Sequence, residues 1–294
     1  GPGATNLVTG VAQAKAAFSP LLTIAGAIAT EHEGKDAFQE VDQQKLFEPI
    51  TKKTISIKDT KSITKDLNKA LNLTTHGKWG PVHVNIPRDV LAGTENFAAF
   101  KIEDKIENKE INHDDLERTI SLIKISSKPV IICGAGVKNS QTQDEVILLS
   151  KNLNIPVVSS AGHGDVISFE YPLYGGQMGP RGNKIASSLV KNADLVLAIG
   201  TRLGFNSTFY SYENISESAK IVQVDIDQIA IGRYFPVEIG FQNDVKIFLD
   251  NLMSLIKKKD LKIDNESWNQ NFLKEKINYY KERDEKANVN SKTI

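Results

Sequence analysis

A chain of 294 residues has room for about two domains of the usual ~150 residues each. Its 36 Lys and Arg balance 36 Asp and Glu, which leaves no net field to gather nucleic acid or an anionic membrane and points to a small-molecule partner. One cysteine, Cys133, excludes an internal disulfide and fits a reducing cytoplasm, and the longest apolar runs fall far short of the ~20 residues that span a bilayer.

The opening GPGATNLVTG sets Pro2 between Gly1 and Gly3, then places Thr5 and Asn6, both good N-caps, ahead of a helical pattern from Leu7 to Lys15. A glycine turn feeding a helix N-terminus lets backbone approach a ligand and offers N–H groups; a protease scar or a plain tight turn are the bland alternatives. An apolar strand over 20–25 and a polar loop through Gly34 follow. The stretch from about Phe38 to Phe47 then reads as helix, with Asp36 as N-cap and Gln39-Glu40 completing a capping box. The same run offers a pocket Phe38 as an apolar wall and Gln39 as a hydrogen-bonding amide. An alternating strand over 54–58, an amphipathic helix from 60 to about 75 and a strand over 81–86 complete the first unit. His83, between Val82 and Val84, reads as a packed sheet residue rather than a base.

Residues 97–115 turn strongly charged and read as a solvated linker. A second unit over 116–260 carries strands at 129–133, 156–159, 194–199 and 220–225, with helical patterns near 141–153, 182–192 and 244–257, the order of a Rossmann-like domain. Residues 261–294, rich in Lys, Asn and Glu, read as a helical linker. The fold class is therefore α/β, with two doubly wound parallel-sheet units: 1–96, lacking its first strands, and 116–260.

In such folds ligands lie beyond the carboxyl ends of the strands. Gly134 and Gly136 form a turn after a strand where a phosphate can sit on backbone amides, although the full GxGxxG spacing is absent. Loops at 161–165, 200–204 and 225–227, joined by a glycine-rich run over 174–182 that includes Gly179, make a stronger constellation. There Gly200, Thr201 and Arg202 suit a phosphate, and Asp225 and Asp227 suit ribose hydroxyls. The alternative is that the glycines make turns and the acids cap helices. The five histidines show no metal-ligand spacing, so no metal site is expected within the chain, and the nucleophile elbow and Walker A loop are absent.

Taken together, GPGATNLVTGVAQA, DAFQEVDQ, ITK at 50–52, GPVHVNIPRDV at 80–90, ADLVLAIGTRL at 193–203 and VQVDID at 222–227 resemble the acetolactate synthase family of thiamine-diphosphate enzymes, over about residues 1–255. The resemblance implies a pyrimidine-binding domain, a central Rossmann-like domain and a pyrophosphate-binding domain, with this chain beginning midway through the first and ending before the third. It implies thiamine diphosphate beside Gly1, Pro2, Gly3 and Asn6, with Phe38 and Gln39 facing its thiazolium and the substrate. Mg²⁺ ligands and an activating glutamate belong to segments outside these 294 residues, which alone are expected to be inactive. The implied reaction takes a 2-oxo acid such as pyruvate and transfers a two-carbon unit, in a homodimer or homotetramer.

Family members hold FAD in the central domain. Arg202 matches their strand-end pattern, but Leu203 to Thr208 replace the rest of it, and Lys78 stands where the family carries an Arg. FAD or another nucleotide is the expectation there. The runs Phe38 to Gln43 and Gly200 to Thr208 are also similar to sulfoacetaldehyde acetyltransferase, which acts on an aldehyde and forms acetyl phosphate and sulfite. A non-catalytic nucleotide-binding or regulatory module is the third reading.

Overall fold

Six consecutive buried residues, Val82–Pro87, form the middle strand of a three-stranded parallel sheet in the computed structural model, which describes residues 1–97 and 109–291. The chain divides into two units, Gly1–Glu107 and Asn108–Ile294.

In the first unit, β1 (Leu22–Ala27), β2 (Lys53–Ser56) and β3 (Val82–Pro87) lie in the order β1-β3-β2, with Leu22 and Lys53 both in register with Val82. Burial of every β3 residue follows from its central place in a sheet covered on both faces. Among the described residues its α-helices are α1 (Pro2–Thr5), α2 (Val8–Ala17), α3 (Gln43–Phe47), α4 (Ile63–Thr75) and α5 (Arg88–Ala92). Ala70 of α4 packs with Val82, Val84 and Ile86, while Ala4, Val11 and Phe47 form a separate cluster.

His83 is fully buried, its ring stacked on Phe47 at 3.7 Å between centroids, with Nδ1 2.9 Å from Thr23 Oγ1 and Nε2 2.7 Å from Asn85 Oδ1. It is the packed sheet residue that its alternation with valines predicts. Burial holds its pKa below the ordinary histidine value of 6.5, against an opposing Asn85 hydrogen bond. The neutral ring therefore contributes stability that is present above about pH 6.5 and is lost as pH falls through the lowered folded value. Thermal melts from about pH 8 to about pH 5 are expected to show Tm dropping at the acid end, with a smaller drop in His83→Gln.

Two helix starts differ from the sequence reading. The first helix begins at Pro2, which occupies the favoured first position with Gly1 as N-cap, so Thr5 and Asn6 do not cap it. Thr5 Oγ1 instead donates back to the Pro2 carbonyl at 2.6 Å, Asn6 ends α1, and α2 starts without a side-chain cap. Further on, Asp36 and Gln39 adopt left-handed φ values of 56° and 63°, which a right-handed helix cannot include. Helix α3 therefore begins only at Gln43, capped by Asp42 Oδ1 accepting the Lys45 amide.

Lys52 lies beside β2 and donates to the Leu73 and His76 carbonyls at 2.6 and 2.7 Å, closing the C-terminus of α4. A cation there satisfies carbonyls that the helix leaves without partners. Lys52→Met is expected to lower stability by about 1 kcal/mol, measured by urea denaturation.

The second unit is a six-stranded parallel sheet of β4 (Pro129–Cys133), β5 (Val157–Ser159), β6 (Tyr174–Gln177), β7 (Leu195–Ile199), β8 (Lys220–Asp225) and β9 (Ile239–Gln242), in the order β6-β5-β4-β7-β8-β9. The strand order reverses between β4 and β7, the switch point of a doubly wound fold. Helices α6 (His113–Ile125), α7 (Ala135–Asn139), α8 (Gln143–Leu153), α9 (Lys184–Asn192), α10 (Phe205–Thr208), α11 (Val245–Lys258) and α12 (Glu266–Ser291) flank it. Alternation along the strands sorts Ile131, Leu197 and Val222 into a cluster with Leu149 of α8 and Phe248 of α11; Val130, Ile132 and Val196 join Leu189 of α9 and Phe272 of α12.

Strands β6 and β9 are absent from the sequence reading. The former hides in the glycine-rich run, where a Cβ on Gly175 would stand 2.8 Å from Leu189 Cδ1, so a small residue lets α9 pack closely. Of the expected 97–115 linker, residues 98–108 lie outside the described residues, and the end of it is helix, because Asn112 Oδ1 accepts the Asp114 amide at 2.9 Å and starts α6. Within the expected linker over 261–294, Glu266–Ser291 is helix and packs on the sheet domain. Phe272 is buried, Trp268 Nε1 donates to the Pro129 carbonyl at 3.1 Å, and Asn183 Nδ2 donates to the Tyr280 hydroxyl at 3.0 Å. Among the described residues, no helix is long and apolar enough to cross a membrane.

Candidate functional site

Because β1, β2 and β3 run parallel, their following loops emerge at one edge of the three-stranded sheet. Asp89, in the first turn of α5, accepts the Thr30 amide at 3.0 Å and the Thr30 hydroxyl, and these bonds hold its carboxyl below the usual range. Lys58, just after β2, pairs with Glu33 at 2.5 Å, and Thr60 Oγ1 donates to the Val90 carbonyl at 2.7 Å. The bonds to Thr30 and Glu33 brace the loop over 28–42, whose tip leaves Phe38 89% exposed.

The opening glycine meets this tip. A Cβ on Gly1 would stand 2.2 Å from the Gln39 carbonyl oxygen, so the close approach requires glycine. Pro2, Gly3 and Asn6 lie on the exposed α1 turn beside it, and a Cβ on Gly3 would meet nothing within 4 Å. The fold thus brings Gly1 and Gln39, 38 positions apart in the numbering, to one place at a strand-end edge.

Glu40 and Asp89 tie this strand-end edge together by bonds that the sequence reading did not foresee. Glu40 accepts the Gly34 amide at 2.6 Å and the Ala37 amide at 3.0 Å, closing the tip rather than a capping box. The partner of Asp89 is 59 residues away, so no local pattern signals it. Gln43 is buried, with Nε2 donating to the Gly26 carbonyl at 2.9 Å and Oε1 without a partner.

At the switch point of the second unit, Gly134, Gly136 and Gly200 come together in close backbone contact. A Cβ on Gly134 would lie 2.3 Å from the Gly200 oxygen, and one on Gly136 would lie 2.5 Å from Gly200 Cα. The Gly134 and Gly136 amides donate to the Ile199 and Gly200 carbonyls, both at 3.0 Å. These glycines serve close backbone packing, and their N–H groups are engaged within the protein. Thr201 is buried, with Oγ1 accepting the Leu203 amide and its carbonyl accepting from Gln223 Nε2. Asp225 Oδ1 accepts the Asp227 amide and Asp227 Oδ1 accepts that of Ile229, so both acids hold the turn after β8. Gly179, at φ 108°, lets the end of β6 close on α10, where a Cβ would stand 2.7 Å from the Asn206 oxygen.

What this edge does present is Arg202, exposed, with Lys138 ion-paired to Asp165 nearby. Burial lowers the His163 pKa; Asp165 opposes the shift, and Lys138 and Arg202 add to it. Phe205 is half exposed and its ring lies 5.5 Å from that of Tyr210, which stacks on Tyr234 at 4.4 Å. Cys133 is fully buried, and its thiol is pushed far above the ordinary range, so it is no nucleophile at neutral pH. Among the described residues, no group of three or more His, Cys, Asp or Glu is arranged to hold a metal ion.

Comparison with known proteins adds sequence evidence to this geometry. Residues 1–46 match the family described as thiamine pyrophosphate enzyme, N-terminal TPP binding domain, and residues 116–252 match thiamine pyrophosphate enzyme, central domain. The chain is 34% identical over 274 residues to a probable acetolactate synthase large subunit of Methanocaldococcus jannaschii, covering 91% of this chain and 46% of that protein. It is 30% identical over 278 residues to the acetolactate synthase large subunit of Haemophilus influenzae, with 91% and 48% covered. A sulfoacetaldehyde acetyltransferase of Roseovarius nubinhibens is 32% identical over 248 residues, with 84% and 41% covered. The chain thus spans about half the length of the curated relatives it matches. With one match on the glycine turn of the first unit and the other on the doubly wound unit, the chain belongs to the thiamine pyrophosphate enzymes, its residues 1–46 and 116–252 matching their N-terminal and central domains.

Proposed function

We propose that this chain forms part of a thiamine-diphosphate-dependent, acetolactate synthase-like enzyme that decarboxylates a 2-oxo acid such as pyruvate and transfers the two-carbon unit to an acceptor. The observation that carries the reading is the approach of Gly1 to Gln39, which gathers the family's opening glycine turn and the Phe38–Gln39 tip at one edge. The residues present leave room for the cofactor ring at the exposed α1 turn, where a Cβ on Gly3 would meet nothing within 4 Å, while Gly1 lets that turn close on the Gln39 carbonyl. Gly1, Pro2, Gly3 and Asn6 would face the cofactor ring. Thiamine diphosphate, when bound, supplies the carbanion chemistry through which a 2-oxo acid loses CO₂.

The chain's own part is to bind, orient and exclude water. Phe38 offers an apolar wall that shields reacting groups from solvent, and Gln39 offers an amide to orient a carbonyl or carboxylate. Mg²⁺ completes the reading, with ligands outside the described residues. For FAD or another nucleotide, Arg202 stands exposed at the strand-end edge, while the amides of Gly134 and Gly136 and one oxygen each of Asp225 and Asp227 are engaged within the protein; no step is derived through a flavin. Assembly as a homodimer or homotetramer in the cytoplasm belongs to the same reading, and the lone, buried Cys133 suits a reducing compartment.

Sulfoacetaldehyde acetyltransferase chemistry is the second reading, favoured by the likeness to the Roseovarius protein. The protein made from the complete reading frame, with thiamine diphosphate and Mg²⁺, decides between them. Pyruvate giving acetolactate is the expected result; sulfoacetaldehyde with phosphate giving acetyl phosphate and sulfite replaces it with the second reading. Calorimetry showing no thiamine diphosphate binding overturns both and leaves a non-catalytic module.

A further inference from the structure

The Phe38–Gln39 tip is an unfavourable piece of backbone. Asp36 and Gln39 both sit in the left-handed region, which side chains other than glycine adopt only when their surroundings enforce it. Phe38 contributes little to holding the tip, since it is 89% exposed. The ties from Asp89 to Thr30 and from Lys58 to Glu33 reach only the first part of the loop.

The tip itself is closed by one side chain. Glu40 reaches back across the turn to accept the Gly34 amide at 2.6 Å and the Ala37 amide at 3.0 Å, while its own amide donates to the Ala37 carbonyl at 2.9 Å. A carboxylate on two amides makes charge-assisted bonds, stronger than neutral ones. These two amides, helped by those of Lys35 and Asp36, hold the Glu40 carboxyl below the usual range, so it is ionised at neutral pH. The clamp spans the residues on either side of Asp36 and adjoins Phe38 and Gln39.

We propose that Glu40 is a positioning residue: by clamping the Gly34 and Ala37 amides it sets the backbone that presents Phe38 and Gln39 at the edge where Gln39 meets Gly1. Its importance for catalysis rests on the function proposed above; its hold on the tip does not. A side chain that aims a pocket wall and an amide governs turnover more than cofactor affinity, because a displacement of about 1 Å in a positioned group costs about 100-fold in rate.

Two measurements test this. In the 294-residue chain without cofactor or substrate, amide hydrogen exchange at Gly34 and Ala37 is expected to speed up at least about tenfold in Glu40→Ala, with Val84 in the buried strand unchanged. Glu40→Gln keeps one acceptor oxygen and should retain protection at one of the two amides. In the protein from the complete reading frame, Glu40→Ala is expected to lower kcat for pyruvate about 100-fold, with thiamine diphosphate affinity held within about threefold, and Glu40→Gln to recover at least about tenfold of the loss. Unchanged exchange in Glu40→Ala overturns the clamp. Faster exchange with unchanged kcat in an active protein overturns the positioning role. A parent protein inert toward pyruvate overturns the substrate reading instead, and the exchange comparison still decides the clamp.

Discussion

Gly136→Val is expected to destabilise the six-stranded unit by at least about 3 kcal/mol, among the largest effects that a single change in this chain can have. The new Cβ would stand 2.5 Å from Gly200 Cα and 3.2 Å from the Gly200 oxygen, and neither is a side-chain end that can swing aside. Relief requires β7 and the start of α7 to separate, breaking the bond from the Gly136 amide to the Gly200 carbonyl. Gly200 cannot yield easily, because it holds φ 61° and faces Gly136 Cα from the other side. Urea denaturation monitored by circular dichroism measures the loss. Gly3→Ala is the control: nothing lies within 4 Å of its Cβ, and a helical Gly→Ala change there should be neutral or stabilising by up to about 1 kcal/mol. Equal stabilities for Gly136→Val and the parent would mean that the glycine contact at the switch point is looser than described.

Gly1→Ala in the protein from the complete reading frame is expected to lower kcat/KM for pyruvate about 100-fold while leaving the fold intact. The change adds one methyl group 2.2 Å from the Gln39 carbonyl oxygen, so either the glycine turn or the Phe38–Gln39 tip must shift. Both are surface segments, and the buried cluster of Ala4, Val11 and Phe47 beneath them does not depend on the added atom. Melting at the parent's temperature together with collapsed turnover is the expected pair of results. Full activity in the alanine variant would separate Gly1 from the site and remove the observation on which the functional reading rests.

The two effects differ in kind although both arise from a missing Cβ. At Gly136 the close contact lies inside a packed domain and affects folding. At Gly1 it lies on a rim and affects geometry.

Much of this architecture was legible in the chain. Alternation and short apolar runs located β4, β7 and β8 closely, since a parallel strand covered on both faces must be apolar throughout. Strand β6 was not legible, because two of its four residues are glycines and its place in the sheet depends on the fit of α9 against them. The docking of α12 was equally hidden: Trp268, Phe272 and Tyr279 keep a helical spacing, but the Lys, Asn and Glu between them read as a linker.

The sequence by itself determined the α/β class, the parallel sheets and the kinship with thiamine pyrophosphate enzymes, because hydrophobic periodicity and the order of short motifs are local properties of a chain. Only the tertiary structure decided what the singled-out residues do. It set Gly134 and Gly136 in close backbone contact with Gly200, bonded Asp225 and Asp227 across the turn after β8, and placed the Glu40 carboxylate on the Gly34 and Ala37 amides. The physical reason is that an amide or a carboxylate is defined by its partner, and the partner of Gly136 or Asp89 lies about 60 residues away.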